Sequence, residues 1–364
     1  MINRQPSRDM GKLGKVLLTG HTGFKGTWAT LLLQELGIEV VGLSLPAETG
    51  SLYDRLGRLG AIEEHFFDIA DRQSVADLLE TSDIQTVIHM AAQPLVLLSY
   101  KNPTKTFETN VLGTVNVLDA CFSSVSVKSI VVVTTDKVYE NKNIGKRFVE
   151  TDSLAGKDPY SASKVGTEAA VAAWSQISKV SGGPTVISVR AGNVIGGGDF
   201  AEDRIVPDFF KSLKCKKKLI VRNPEATRPW QNVLDSLFGY LILLYRLNTF
   251  NNFKNFPKSW NFGPMSNSEK NIKELINSLQ KINKKKIRIF YMKKKQLNKK
   301  ESKFLRLNSS QAKKYLNWRP IFNFNQNISF VNSWYINYIN KRNMIDYSLK
   351  QIDFYFKKLF KRFN

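Results

Sequence analysis

Residues 15–26 read KVLLTGHTGFKG, an apolar run that ends in three glycines spaced three residues apart. The apolar part is typical of a buried strand, and the following TWATLLLQELG carries apolar residues at helical spacing. Glycine permits a tight turn and close approach of the backbone to a phosphate, and a helix N-terminus offers free N–H groups. Gly20, Gly23 and Gly26 therefore predict a cradle for a dinucleotide pyrophosphate, although the spacing differs by one residue from the usual fingerprint.

The alternation of strand-like and helix-like segments continues well beyond this unit. The strand-like segments are EEHFFDI, TVIHMAA, SIVVVTT and PTVISVR. Strands this apolar are typical of a parallel sheet covered by helices on both faces. We therefore predict an α/β fold with a Rossmann-type, doubly wound parallel sheet in residues 13–192. The alternation breaks near Asn193, which predicts a smaller C-terminal lobe over residues 193–340 with some elements returning to the first domain, and a basic extension over 341–364.

The composition limits the kind of protein this is. At 364 residues with 42% hydrophobic content, the chain can bury a large core. Two cysteines and three histidines cannot supply a disulfide framework and leave few ligands for a metal, so we expect neither. No signal-peptide pattern and no apolar window of the roughly 18–20 residues that a membrane span needs is present, which predicts a cytoplasmic protein.

Charge is distributed unevenly along the chain. Residues 1–200 hold 19 Lys+Arg against 21 Asp+Glu, and residues 201–364 hold the remaining 35 against 10. Such a field is typical of a protein that binds nucleic acid or an acidic membrane. The same half is also rich in Asn and Ile, which a general drift in composition explains without a partner. We favour the drift, and expect no nucleic acid as a partner.

The ends of the second and third strands bear on cofactor choice. An acid at the end of the second strand usually holds the ribose 2′-hydroxyl of NAD, but here the strand ends in GLSLP with Ser44. This position therefore does not decide between NAD and NADP. Asp68, at the end of FFDI, is a candidate for holding the adenine amino group, and a helix cap before Ala70 is an equal alternative.

Tyr160 and Lys164 lie four residues apart in DPYSASK, on one face of a predicted helix. A free tyrosine has a pKa near 10, so removing a proton from a sugar hydroxyl at neutral pH requires a nearby cation that favours the phenolate. Lys164 can be that cation. Thr135, at the end of the strand SIVVVTT, supplies a hydroxyl between the glycine cradle and this pair.

The segments TGHTGFKG, TTD and YSASK together resemble the extended short-chain dehydrogenase/reductase family, which acts on nucleotide sugars. Further segments, such as HMAAQPLVLLSY, TTDKVYEN and RNPEATRPWQNV, resemble its CDP-glucose 4,6-dehydratase branch. The resemblance covers residues 15 to about 265. It implies oxidation of the sugar at C4, loss of water across C5 and C6, and hydride return to C6, for deoxysugar biosynthesis in surface polysaccharide. Alternatives are another nucleotide-sugar 4,6-dehydratase or an epimerase and, outside that class, a nucleic-acid-binding protein on the same scaffold.

The resemblance also implies a cofactor and its contacts. NAD is expected as a tightly bound group that is regenerated in each turnover, with a nucleotide sugar as substrate. The residues expected to contact NAD are Gly20, Thr22, Gly23, Phe24, Gly26, Asp68, Ile69, Ala91, Ala92, Tyr160 and Lys164. Relatives are commonly dimers through the helix that carries the tyrosine, so a homodimer is expected.

The catalytic roles follow from the same resemblance. Tyr160 is expected to take the proton of the C4 hydroxyl, with Thr135 bonded to the C4 oxygen. Asp136 is expected to protonate the leaving C6 hydroxyl, which requires a carboxyl whose pKa is raised by burial. Lys137 stands where the dTDP-glucose branch has glutamate, and is expected to act at C5 either as a neutral base or as a cation.

Substrate contacts are expected from Asn193, Arg204 and Arg228, with Arg228 clamping the diphosphate because a guanidinium fork suits it. The chain departs from the family at one nearby position. It has QPLVL where relatives commonly have QPLVR, so Leu97 replaces an arginine near the expected sugar or nucleotide site. That departure leaves the identity of the nucleotide open.

Overall fold

The fold was analysed in a computed structural model that describes residues 10–249, 256–283, 286–292 and 302–361. Within these ranges lies a seven-stranded sheet whose strand order is β3-β2-β1-β4-β5-β6-β10, with every neighbouring pair parallel. This confirms the predicted doubly wound parallel sheet. Its strands are β1 (Val16–Thr19), β2 (Val40–Ser44), β3 (Glu63–Phe66), β4 (Thr86–His89), β5 (Ser129–Val133), β6 (Thr185–Ala191) and β10 (Ser259–Phe262).

Helices flank the sheet on both faces because alternate strand residues point to opposite sides. Leu18 belongs to a core shared with one set of helices, and Leu17 belongs to a core shared with another. The first set includes α1 (Phe24–Glu35) and α9 (Val233–Thr249). The second consists of α3 (Arg72–Thr81), α6 (Gly113–Ser123) and α7 (Pro159–Ser181). Both faces are therefore dry, which explains the continuous apolar strands.

Short helices complete the first part of the chain. They are α2 (Leu52–Arg55), α4 (Val96–Lys101) and α5 (Pro103–Phe107). A five-residue π-helical turn, Glu108–Leu112, joins α5 to α6. Across the described ranges, no helix is both long enough and apolar enough to cross a membrane.

The second part of the chain contributes two small sheets and one strand of the main sheet. Strand β9 (Thr227–Asn232) lies between β7 (Asn193–Ile195) and β11 (Glu269–Asn271), while β8 (Leu219–Val221) pairs with β12 (Ile289–Tyr291). Strand β10 instead joins β6. The remaining helices are α8 (Ile205–Cys215), α10 (Ile272–Ile282), α11 (Ser310–Leu316), α12 (Phe324–Ile339) and α13 (Met344–Phe360).

The C-terminal helix α13 packs against its own protein. It contacts α12 and α1, and Ile352 and Tyr355 are buried in the main core. Its lysines lie on the other side, as expected for an amphipathic helix. The division at residues 192 and 340 stays a prediction.

Candidate active site

The glycine-rich turn lies between β1 and α1 and leaves no room for a side chain at Gly20 or Gly26. Gly20 has φ +75°, and a Cβ there would come within 2.8 Å of the Ala91 backbone nitrogen. A Cβ on Gly26 would overlap the carbonyl oxygen of Gly20. Gly23 is the N-cap of α1 and offers no side chain to the free N–H groups of the first turn. The turn therefore has the shape and polarity that a pyrophosphate requires.

The flanks of this cradle hold other predicted cofactor residues. Thr22 Oγ1 lies 2.7 Å from Ser44 Oγ and donates to the Leu45 carbonyl at 3.1 Å. Phe24 is the first residue of α1. Ala91 N donates to Thr19 Oγ1 at 3.1 Å, and Ala92 follows it in the loop after β4.

Asp68 does not cap a helix, contrary to one of the two sequence-based alternatives. Its Oδ1 accepts from Ala70 N at 3.0 Å, but α3 begins at Arg72 and is capped by Asp71. The turn at Asp68 precedes the helix because Asp71 binds the first-turn N–H of Ser74 instead. Asp68 Oδ2 also pairs with Lys105 at 3.2 Å, and the neighbouring Ile69 is buried in the core.

The strand β5 ends directly at the candidate catalytic groups. Thr135 is extended and is the N-cap of a 3-10 turn over Asp136–Val138. Thr135 Oγ1 donates to Asp136 Oδ1 at 3.2 Å and accepts from Lys137 N at 3.4 Å. The turn thus places three polar side chains in succession at the carboxyl edge of the sheet, where ligands of such folds bind.

Asp136 is a buried carboxyl group that is only half satisfied. It is 2% exposed, and its Oδ2 has no hydrogen-bond partner. Burial raises the pKa of Asp136 to about 6, opposed by the positive charges of Lys137 and Arg228 and by the Thr135 hydroxyl. The expectation that burial raises this pKa is confirmed. The group can carry a proton near neutral pH.

Tyr160 lies in the first turn of α7, and the sequence predicted this helix start. Asp158 caps α7 in a reciprocal capping box with Ser161. The Tyr160 backbone N–H donates to Ser99 Oγ at 3.1 Å. Burial raises the pKa of Tyr160 to about 12, while a hydrogen bond with Thr135 and the charge of Arg204 lower it. Thr135 and Tyr160 are therefore brought together.

The two lysines lie close to this tyrosine. Lys164 is 4% exposed and donates from Nζ to the Val133 carbonyl at 3.1 Å. Burial lowers the pKa of Lys164 to about 8, and Glu168 opposes that change. Lys137 Nζ lies 5.7 Å from the centre of the Tyr160 ring, within the range of a cation–π contact.

The predicted substrate residues come from the second part of the chain. Arg204 pairs with Asp199 at 2.9 Å and interacts electrostatically with Tyr160. Arg228 is buried, donates to the carbonyls of Thr227 and Ser302, and interacts electrostatically with Asp136. Asn193 begins β7 and is partly buried, and Leu97 lies in α4. Both arginines are thus near the catalytic groups.

Sequence reasoning missed two features of this site. Lys25, inside the glycine motif, donates to Tyr240 Oη at 2.9 Å. Burial and the charges of Lys164 and Arg204 lower its pKa to about 7. Glu168 forms a buried ion pair with Arg190 behind β5. Its position four residues after Lys164 was the available signal, since such residues share a helix face.

Among the described residues, no group of three or more His, Cys, Asp or Glu side chains could hold a metal ion.

The chain is similar to known proteins over most of its length. The family described as GDP-mannose 4,6 dehydratase matches residues 17–330. A protein of Salmonella typhimurium named CDP-glucose 4,6-dehydratase is 35% identical over 352 residues, which cover 94% of this chain and 96% of that protein.

Solved structures share the fold. The UDP-glucuronic acid 4-epimerase of Bacillus cereus, in complex with UDP-glucuronic acid and NAD, superposes with a TM-score of 0.76 at 21% identity, covering 90% of this chain and 99% of that one. The dTDP-glucose 4,6-dehydratase of Bacillus anthracis, in complex with NAD, gives 0.73 at 22% identity, covering 89% and 97%. At this identity the likeness establishes the fold alone.

Proposed function

The chain belongs to the GDP-mannose 4,6-dehydratase family, and we propose that it converts CDP-glucose to CDP-4-keto-6-deoxyglucose. The predicted resemblance to the extended short-chain dehydrogenase/reductase family is thereby confirmed. The observation that carries the proposal is Asp136, a buried carboxyl group with a raised pKa next to Thr135 and Tyr160. An acid at this point serves a dehydration, whereas an epimerase that only oxidises and re-reduces C4 has no use for it.

The residues of the β1–α1 turn fit NAD. Side chains at Gly20 and Gly26 would fill the cradle, and the first turn of α1 has N–H groups free for a pyrophosphate. When bound, NAD supplies the acceptor for the C4 hydride and the donor that returns a hydride to C6. Because no redox change remains after a turnover, a cofactor that stays bound is expected.

Oxidation at C4 rests on Tyr160, Thr135 and Lys164. The phenolate of Tyr160 would take the proton of the C4 hydroxyl while Thr135 donates to the developing C4 oxygen. With a pKa of about 12, Tyr160 needs help to ionise near neutral pH. Arg204 supplies positive charge from the second part of the chain, and Lys164, one helical turn away, would add to it.

Elimination of water rests on Asp136 and Lys137. A ketone at C4 acidifies the C5 proton, so a base at C5 and an acid at C6 suffice to expel the hydroxyl. Asp136 would be the acid, since it can be protonated near neutral pH. Lys137 would act at C5, as base or as a cation beside the enolate, from its position over the Tyr160 ring.

The substrate would be held by its charged diphosphate. Arg204 and Arg228 are the cations of the second part of the chain that interact with Tyr160 and Asp136, and Asn193 begins the strand next to β9. Guanidinium groups suit a diphosphate because they bond two oxygens at once. We assign Arg228 and Arg204 to the diphosphate and Asn193 to the sugar side.

A homodimer in the cytoplasm is part of the same proposal. Large apolar side chains are exposed on the helical segment next to α7, with Leu98, Phe107 and Leu112 between 37% and 57% exposed. The segment packs directly on α7, so a second copy could cover both helices. Light scattering of the purified protein should give twice the chain mass of 41.4 kDa, and Leu112→Lys should weaken the association.

Turnover of separate nucleotide sugars tests the function. CDP-glucose, UDP-glucose and dTDP-glucose should be incubated with the purified protein, and the 4-keto-6-deoxy product followed by its absorbance in alkali. Product from CDP-glucose at the highest kcat/KM supports the proposal. Turnover of another nucleotide sugar alone would overturn the CDP assignment and indicate that Leu97 alters the choice of nucleotide. A C4 epimer without a deoxy product would overturn the dehydratase assignment.

A further inference from the structure

A buried ion pair lies behind the end of β5. Arg190 on β6 donates from Nε to Glu168 Oε1 and from Nη2 to Oε2, each at 2.8 Å. Both side chains are 5% exposed. Taking two charges out of water costs several kcal/mol that their attraction only partly returns. Replacing the pair by apolar residues would often be as stable, so its presence beside the catalytic strand calls for a role beyond stability.

The pair holds both ends of the catalytic segment, residues 134–139. Thr134 Oγ1 donates to Glu168 Oε1 at 2.5 Å, and Arg190 Nη1 donates to Tyr139 Oη at 2.9 Å. Thr134 and Tyr139 directly flank the stretch that contains Thr135, Asp136 and Lys137. A single ion pair thus fixes the position of the strand end and of the turn that follows it.

The pair also sets the electrostatics around Lys164. Glu168 lies one helical turn beyond Lys164 on α7 and favours its charged form. The other titratable groups that interact with Lys164 are Lys25 from α1, whose pKa is lowered to about 7, and His89 from β4, whose pKa burial lowers to about 3. Tyr160 lies on the same helix face, four residues before Lys164. Of these groups in the described chain, Glu168 is the only carboxyl group.

We propose that the Glu168–Arg190 pair is a positioning element of the catalytic centre, which clamps residues 134–139 at both ends and places the Glu168 carboxylate one helical turn from Lys164. The proposal rests on the proposed function for its kinetic part. Its electrostatic part stands independently of the substrate. Neither residue touches the reacting atoms, so both act through Thr135, Asp136 and Lys164.

The test compares Glu168→Gln with Arg190→Met in the full-length protein. The titration of Lys164 is followed by NMR of isotope-labelled lysine side chains, with Lys164→Met to assign the signal. Glu168→Gln removes the negative charge and leaves Arg190 unpaired, so Lys164 should titrate about one pH unit lower. Arg190→Met leaves the carboxylate without its counter-ion, so Lys164 should titrate at higher pH. The alkaline limb of kcat should move in the same two directions.

Two further variants separate the positioning of residues 134–139 from the charge near Lys164 and from the stability of the fold. Thr134→Val keeps the ion pair but releases the strand end, so kcat should fall about tenfold without a shift in the Lys164 titration. Asp235→Asn removes another buried carboxylate, one that accepts from Ile321 N at 2.7 Å, and should lower stability without moving the titration.

Opposite shifts for Glu168→Gln and Arg190→Met support the proposal. Two outcomes would overturn the proposal and leave the pair as a support of the fold. In one, the Lys164 titration shifts in the same direction in both variants. In the other, the titration does not shift while the melting temperature falls as it does in Asp235→Asn. If Arg190→Met does not fold, the Lys164 titration in Glu168→Gln is compared with that in Asp235→Asn, and a downward shift in Glu168→Gln alone supports the proposal. If the wild-type protein turns over no nucleotide sugar, the proposed function is contradicted. The NMR titration would still show whether Glu168 affects the titration of Lys164.

Discussion

Two buried carboxyl groups, Asp136 and Glu168, contact the residues that follow β5, and they differ in their hydrogen bonds. Glu168 accepts hydrogen bonds from Thr134, Ser188 and two nitrogens of Arg190. Asp136 receives one bond, from Thr135, and its second oxygen has no partner. Neighbouring threonines thus contact different carboxyl groups, since Thr134 donates to Glu168 and Thr135 donates to Asp136.

The difference separates a structural acid from one suited to proton transfer. Both oxygens of Glu168 are occupied by hydrogen-bond donors, two of them from an arginine, so neither oxygen is free to meet a ligand. A buried carboxyl group that lacks donors holds its proton to higher pH, as the raised pKa of Asp136 indicates. Similar burial therefore yields one carboxyl group occupied by protein donors and another that is suited to donate a proton.

Asp136→Asn should have the largest effect, because it removes the proton donor while keeping the shape of the side chain. The rate of water loss should fall about 10²- to 10⁴-fold, the usual contribution of a general acid. Oxidation at C4 should fall much less, so reduced cofactor should accumulate and be visible by its absorbance. Equal loss of both steps would count against the role of Asp136, and Asp235→Asn serves as the matched control.

Arg190→Met should cost the most stability. Removing one partner of a buried ion pair leaves an uncompensated charge and lowers the free energy of unfolding by about 3–5 kcal/mol. Arg72→Met is the control, because Arg72 pairs with Asp119 at 2.6 Å while 73% exposed and should cost at most about 1 kcal/mol. Chemical denaturation of both variants measures the difference. Similar losses of unfolding free energy in the two variants would mean that burial of the Glu168–Arg190 pair does not affect stability.

Stability should depend on pH through Asp136. Because burial raises its pKa from 3.8 to about 6, the folded protein holds a proton there that the unfolded chain releases. The stability contributed by the protonated group is present at low pH and is lost as pH rises through about 6, by about 3 kcal/mol in total. The free energy of unfolding of the wild type minus that of Asp136→Asn should fall accordingly. A difference that rises with pH would mean that the pKa is lowered instead.

Gly192→Ala should have the smallest effect of the four. A Cβ at Gly192 would lie 3.0 Å from Asp136 Oδ2 and would overlap the ring of Pro229. Crowding of this kind typically costs about 1–3 kcal/mol of stability, and it should also slow water loss by displacing Asp136. Gly11→Ala is the control, since nothing lies within 4 Å of a Cβ there. Wild-type rates in Gly192→Ala would show that the space beside Asp136 is not needed.

Much of the fold could be read from local patterns. The strands β1, β4, β5 and β6, the turn at Gly20 and the start of α7 at Asp158 all follow from residues near each other in the chain. The π-helical turn at Glu108–Leu112 did not, because a single extra residue in a helix leaves the apolar spacing almost unchanged. The placement of β10 beside β6 also required the tertiary structure, since its short apolar run has no local sign of its partner.

By itself the sequence determined the chemistry available at the end of β5: a hydroxyl, an acid and a lysine after a buried strand, with a tyrosine and a lysine one helical turn apart. The tertiary structure decided the state of each group. It buried Asp136 with a donor for only one of its oxygens, paired Glu168 with an arginine from β6, and put Arg204 and Arg228 near residues far away in the chain. A pKa depends on burial and on neighbours in space, and residue spacing along the chain specifies neither.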